Sequence, residues 1–199
     1  MIKMVVSTNN SHKVEEFKEL LNFSEFNILQ PKDFDEFPDI EETGTTFEEN
    51  AAIKAVEASK YTNLCAFADD SGLEVDALDG RPGIYSARYG GENASAEEKN
   101  AKLLNELLDE ENRAARFICV IAIAKDGKLL STFRGEVEGE IIKNSKGAAG
   151  FGYDPIFQPN GYSKTFSELG SDIKSTISHR AKAMQQFKEY LKKEVNNLI

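Results

Sequence analysis

The sequence predicts an α/β protein built on a mixed sheet with flanking helices. Three observations predict it. Residues 2–7 have the character of a strand, and a helical period follows, with Val14, Phe17, Leu20 and Leu21 three and four residues apart. Residues 117–124 are apolar throughout, as in a strand covered on both faces. Asp126-Gly127 then makes a hairpin turn into residues 129–137, so the sheet contains antiparallel strands.

The remaining elements follow in order. Residues 26–29 form a short second strand. Residues 31–45, with two prolines and several acids, show no clear period and read as a long loop, of the kind that is often functional. Residues 46–61 form a helix with Phe47, Ala51, Ala55 and Ala58 on one face. Residues 64–68 and 73–77 are two strands on either side of Asp69-Asp70-Ser71-Gly72, and Gly80-Arg81-Pro82-Gly83 is a turn. Residues 96–108 form a helix carrying Leu103, Leu104, Leu107 and Leu108, and residues 146–154 are glycine-rich. A last helix begins at about Ser178 and carries Met184, Phe187, Leu191 and Val195.

At 199 residues the chain fits one domain, or one domain of two lobes, with no repeat or inter-domain linker. No apolar run is long enough to span a bilayer and the N-terminus lacks a signal-peptide h-region, so a cytoplasmic protein is expected. The net charge of −10 argues against non-specific binding to nucleic acid or an anionic membrane. It still allows an anionic ligand where cations are concentrated. Cys65 and Cys119 lie in apolar runs and read as buried free thiols.

Several segments can carry chemistry. Thr8, Asn9, Asn10, Ser11, His12 and Lys13 lie at a strand–helix junction, where free N–H groups and the helix dipole favour an anion. They form either a polyphosphate cradle or a helix cap with a surface lysine; the segment lacks the glycines of a Walker A loop. Glu41-Glu42-Thr43-Gly44 and Asp69-Asp70 offer carboxylates from separate segments, as Mg²⁺ requires. If the strand continues through the aspartates, they alternate and one of them faces the site. Asn50 and Lys54 fall on the inward side of their helix, so Lys54 either reaches the rim or enters a polar pocket. Phe151, Gly152, Tyr153 and Asp154 place two aromatics in a glycine-rich loop, able to stack on a base or to plug the core. Lys174, His179 and Arg180 cluster around the start of the last helix.

The order of these motifs along the chain resembles the inosine triphosphate pyrophosphatase family, the bacterial dITP/XTP pyrophosphatases. The resemblance rests on Thr-x-Asn-x-x-Lys after the first strand, Glu-Glu-Thr-Gly, Glu49-Asn50-Ala51 with Lys54, and Ala68-Asp69-Asp70-Ser71-Gly72-Leu73. Residues 83–89 (Gly-Ile-Tyr-Ser-Ala-Arg-Tyr), Phe151-Gly152-Tyr153-Asp154-Pro155 and Ser178-His179-Arg180 complete it. It runs from Lys3 to the last helix. It implies an elongated mixed sheet with flanking helices, in two lobes around a central cleft that holds the site. It also implies a homodimer, Mg²⁺, and hydrolysis of ITP, dITP and XTP to the monophosphate and pyrophosphate. By position, residues 8–13 would hold the triphosphate, and Asp70 would be general base and metal ligand. The other ligand would be Glu41, with Glu42 beside it as the alternative. Ser71, Phe151, Gly152, Tyr153, Asp154, Lys174, His179 and Arg180 would line the nucleotide site, with Arg180 or a backbone N–H as the donor to the 6-oxo group. Asn9 and His12 depart from the glycines of many relatives. Tyr85 and Tyr89 are candidates for an interface between copies.

Overall fold

A computed structural model describes residues 1–21 and 25–194. Its sheet has six strands: β1 (Ile2–Val6), β2 (Phe26–Leu29), β3 (Cys65–Val75), β4 (Ala114–Lys125), β5 (Lys128–Ile141) and β6 (Phe157–Pro159), in the order β2-β1-β3-β4-β5-β6. β1 runs parallel to β2 (Met4 opposite Ile28) and to β3 (Val5 opposite Ala66). β5 and β6 are antiparallel. Asp126 and Gly127 join β4 to β5 with φ of 52° and 71°, the two positive values that a type I′ hairpin turn requires. The sheet is therefore mixed, as expected.

The described residues divide into two compact units. The first takes Met1–Asp70, Cys119–Gly135 and the chain from Arg180 onward; the second takes Ser71–Ile118 and Glu136–His179. Helices α1 (Ser11–Leu21), α2 (Phe47–Thr62) and α5 (His179–Glu194, from Arg180) belong to the first. Strand alternation sorts its core. Met4, Val6, Cys65 and Phe67 pack with Val14 and Phe17 of α1 and with Met184, Phe187 and Leu191 of α5. Val5 and Ala66, one residue out of phase, pack with Ala58 of α2. Thr46 caps α2 by accepting the Glu49 N–H at 3.1 Å. Val195, expected on the last helix, lies outside the described residues.

The second unit has its own core of Leu73, Val75, Phe117, Val137, Phe157 and Phe166, packed with Leu103 of α3 (Ala96–Glu106) and with Leu107 at its C-cap. A reciprocal capping box between Ser95 and Glu98 starts α3. The helix ends two residues before the expected limit, and Leu108 is exposed.

The structure corrects the sequence reading in two places. Asp69-Asp70-Ser71-Gly72 is not a break between two strands; all four residues lie within β3. Asp and Gly disfavour strands, but both faces here are buried and helices supply partners for each aspartate, so tertiary contacts override the local preference. Helix α4 (Phe166–Ile177) and the three-residue β6 were not expected. Gly170 interrupts α4 with φ 79° and ψ 174°, which breaks the apolar period. The capping box of Thr165 with Glu168 was a legible signal for its start.

Candidate active site

Neighbouring positions on β3 send Asp69 and Asp70 to opposite faces. Asp69 continues the row of Cys65 and Phe67 toward α1 and α5. Its Oδ2 lies 2.9 Å from Lys13 Nζ and 3.3 Å from Arg180 Nη2, and Glu16 holds the Nη1 end of the same guanidinium. Asp70 continues the row of Ala66 toward α2. Asn50 Nδ2 donates to Asp70 Oδ2 at 3.1 Å, and Lys54 Nζ stands 4.0 Å from Asp70 Oδ1. The same ammonium pairs with Glu42 at 2.5 Å and donates to the Asp69 carbonyl at 2.6 Å. Lys54 thus enters a polar pocket and does not reach for the rim.

The two carboxylates differ electrostatically. Burial works against the charge on Asp69, but Lys13, Arg180 and Lys54 together outweigh it and hold the carboxyl below its ordinary range. Burial dominates at Asp70. Lys54 offsets part of the effect and Glu42 adds to it, so the carboxyl has a raised proton affinity. Burial also opposes the charge on Lys54, yet Asp69, Asp70 and Glu42 keep it protonated above the usual lysine value. Asp69 is therefore a fixed anion in an ion-pair network, whereas Asp70 has the character of a base.

Asn10 caps α1, its Oδ1 accepting the Lys13 N–H at 3.2 Å, and Thr8 Oγ1 accepts the Asn10 N–H at 3.2 Å. Asn9, Asn10, Ser11 and His12 are exposed. The junction is thus both a capped helix and an open set of donors. Lys13 is not an unengaged cation, since it folds back onto Asp69. Glu41 is exposed and Glu42 half-buried. Asn50 ties their loop to α2 as its Oδ1 accepts the Gly44 N–H at 2.8 Å. A Cβ on Gly44 would come within 2.7 Å of that oxygen, so only glycine permits the approach.

In the second unit, Asp154 organises the glycine-rich loop. Its Oδ2 accepts the Phe151 N–H at 2.9 Å and pairs with Lys174 Nζ at 2.7 Å. Lys174 in turn sits 4.2 Å from the centre of the half-buried Phe151 ring. Gly150 has φ 82°, and a Cβ there would fall 2.3 Å from Asp154 Oδ2. Tyr153 is buried and donates its hydroxyl to the Ser86 carbonyl at 2.9 Å, so of the two aromatics only Phe151 is placed to offer a face. Lys174 lies in the last turn of α4 and not at the start of α5. His179 is buried with its ring stacked on Phe117, 4.8 Å between centroids. Arg180 is 2% exposed and engaged with Asp69 and Glu16, which argues against its reading a base directly. Ser71 is half-buried on β3. Tyr89 is also buried, its hydroxyl donating to Glu106 at 2.7 Å, and of the interface candidates only Tyr85 is well exposed, at 56%.

A profile of the Ham1 family matches residues 4–190. The chain belongs to the Ham1 family. It is 48% identical to a dITP/XTP pyrophosphatase of Geobacter sulfurreducens over 96% of its own length and 97% of that protein. It is 49% identical to one of Oceanobacillus iheyensis over 96% of its own length and 98% of that protein. A HAM1 protein from Coxiella burnetii superimposes with a TM-score of 0.90 at 43% identity, covering 97% of this chain and all of the other.

Within this Ham1 chain the donor chemistry suits a hard divalent cation. Among the described residues no three His, Cys, Asp or Glu side chains gather to hold a metal unaided. One or two carboxylates, completed by phosphate oxygens and water, are the set that Mg²⁺ uses. The Asp70 carboxylate, with the carboxylates of the Glu41-Glu42 loop, fits that description. No helix among the described residues is long and apolar enough to cross a membrane. Three residues of this arrangement have no role in the sequence-derived site: Asn50, which the helix face marks without assigning it a function, and Glu16 and Asn100, which have no local signal, since only the tertiary fold brings them to Arg180 and Gly152.

Proposed function

We propose that this Ham1 protein hydrolyses the triphosphates of deaminated purines (ITP, dITP and XTP) to the nucleoside monophosphate and pyrophosphate, cleansing the nucleotide pool. The observation that carries the chemistry is Asp70: a buried carboxylate of raised proton affinity, oriented by Asn50 and flanked by Lys54. Near-complete alignment with dITP/XTP pyrophosphatases supports the substrate class.

In this reading Asp70 orients water and takes its proton as the water oxygen bonds to phosphorus and the anhydride bond between the α and β phosphates breaks, releasing the monophosphate and pyrophosphate. Lys13 exchanges Asp69 for a phosphate oxygen, and the N–H groups and hydroxyls of Thr8, Asn9, Asn10, Ser11 and His12 hold the rest of the triphosphate. Lys54 balances negative charge as pyrophosphate leaves. Asp70 and Glu41 would hold Mg²⁺, with Glu42 already engaged by Lys54; the bound ion would screen the triphosphate charge and polarise the scissile bond. Phe151 stacks on the base, and Ser71, Gly152, Tyr153, Asp154, Lys174, His179 and Arg180 shape its surroundings, most of them through the contacts above. A cytoplasmic homodimer completes the reading, and sedimentation equilibrium should return twice the 22.1 kDa chain mass.

The deciding experiment measures pyrophosphate release from ITP, XTP, dITP, ATP, GTP and dUTP, with and without Mg²⁺. ITP, dITP and XTP should be far ahead of ATP and GTP, and EDTA should abolish turnover. Equal hydrolysis of ATP, GTP and ITP would refute the pool-cleansing role. A preference for dUTP would point instead to a pyrimidine pyrophosphatase.

A further inference from the structure

Asn100 sits on α3, is 5% exposed, and donates from Nδ2 to the Gly152 carbonyl at 3.1 Å across 52 residues of sequence. Its Oδ1 is buried and has no hydrogen-bond partner among the described residues. A buried acceptor left in this way costs free energy. Leucine would fill a similar volume without that cost, so packing alone does not account for an amide here. Its observed use is the bond to Gly152.

That carbonyl belongs to a loop under conformational demand. Gly150 and Gly152 both have positive φ, 82° and 63°. Asp154 and Lys174 hold the Phe151 side of the loop, and Tyr153 anchors its other side to the Ser86 carbonyl. Asn100 supplies the tie at Gly152 itself, between Phe151 and Tyr153.

We propose that Asn100 is a positioning residue for nucleotide binding, fixing the Gly152 peptide and through it the orientation of the Phe151 ring. The proposal rests on the assignment of Phe151 to the base. Asn100 acts on the base end of the substrate and not on the phosphates, so its loss raises KM and leaves kcat nearly intact.

The test uses Asn100→Ala, which removes the donor, and Asn100→Leu, which removes it while keeping a similar volume. Both variants should raise KM for ITP and XTP alike by about tenfold, the worth of one hydrogen bond, with kcat within about threefold. Inhibition by inorganic pyrophosphate, which has no base, should be unchanged. Hydrogen exchange of the segment spanning residues 147–156 should be faster in both variants, a readout that needs no activity. An unchanged KM with active wild type, or exchange unaltered in that segment, would overturn the role of Asn100. So would a parallel loss of kcat, KM and pyrophosphate inhibition, which marks a purely structural residue. Wild-type protein that releases no pyrophosphate from ITP would instead sink the proposed function, and the exchange measurement would still decide whether Asn100 holds the loop.

Discussion

The amide of Asn50 links Asp70 to the acidic loop: Nδ2 donates to Asp70 Oδ2 at 3.1 Å while Oδ1 accepts the Gly44 N–H at 2.8 Å. The Gly44 bond fixes which end of the amide faces Asp70, since only an oxygen can accept that N–H. Asn50→Leu removes both bonds from a fully buried position. Loss of such an orienting partner typically costs ~10–100-fold in activity. We expect kcat for ITP to fall by about that factor while circular dichroism stays native. A rate within twofold of wild type would show that Asp70 needs no orienting partner.

Asp70→Asn preserves size and removes basicity. Loss of a general base costs ~10²–10⁴-fold, and loss of a metal ligand adds to it. Turnover should approach background in a folded protein. Retention of activity within a few-fold would remove Asp70 from the mechanism.

Lys13→Ala deletes the cation nearest the strand–helix junction. If Lys13 exchanges Asp69 for phosphate, kcat/KM should fall by roughly 2–4 kcal/mol equivalent, and equally for ITP and XTP, because a phosphate contact is blind to the base. A loss confined to one base would contradict the assignment.

Arg180→Met tests whether this residue is chiefly structural. Its guanidinium is 2% exposed and shares the fully buried Asp69 with Lys13. Removing one partner of a buried charge pair costs about 3–5 kcal/mol, and Lys13 should keep the loss at the lower end. Urea denaturation should show that drop, while the ratio of ITP to ATP turnover should hardly move. An unchanged midpoint with a collapsed ITP/ATP ratio would return Arg180 to base recognition.

Burial pushes both cysteine thiols up to about 12. In the native protein neither should react with a thiol reagent at pH 8, whereas both should in urea. An unfolded thiol ionises near pH 8.5. Between about pH 9 and 12 the unfolded chain therefore binds fewer protons than the native one, and stability falls as pH rises. Cys65→Ala should flatten that decline, whatever its stability at pH 7. An identical slope would show that Cys65 does not contribute.

The apolar spacing of Val14 and Phe17, the alanine face of residues 51, 55 and 58, and the Asp126-Gly127 turn were sufficient to place α1, α2 and the β4–β5 hairpin, because each is a local periodicity or a local backbone requirement. Motif order was sufficient to indicate the family. Other features depended on residues far apart in the chain. Whether Asp69-Asp70-Ser71-Gly72 turns or runs straight was decided by α1, α2 and α5 supplying Lys13, Asn50, Lys54 and Arg180 to its two faces. Helix α4 is not legible as an apolar period because Gly170 breaks it, nor is the tie made by Asn100, because its partner lies 52 residues away. The sequence by itself determined which residue types were available and which short segments were helix, strand or turn. Only the tertiary structure decided that Asp69 would be a paired, fixed anion and Asp70 a buried carboxylate of raised proton affinity, because alternation on one strand sends neighbouring carboxylates into surroundings of opposite electrostatic effect.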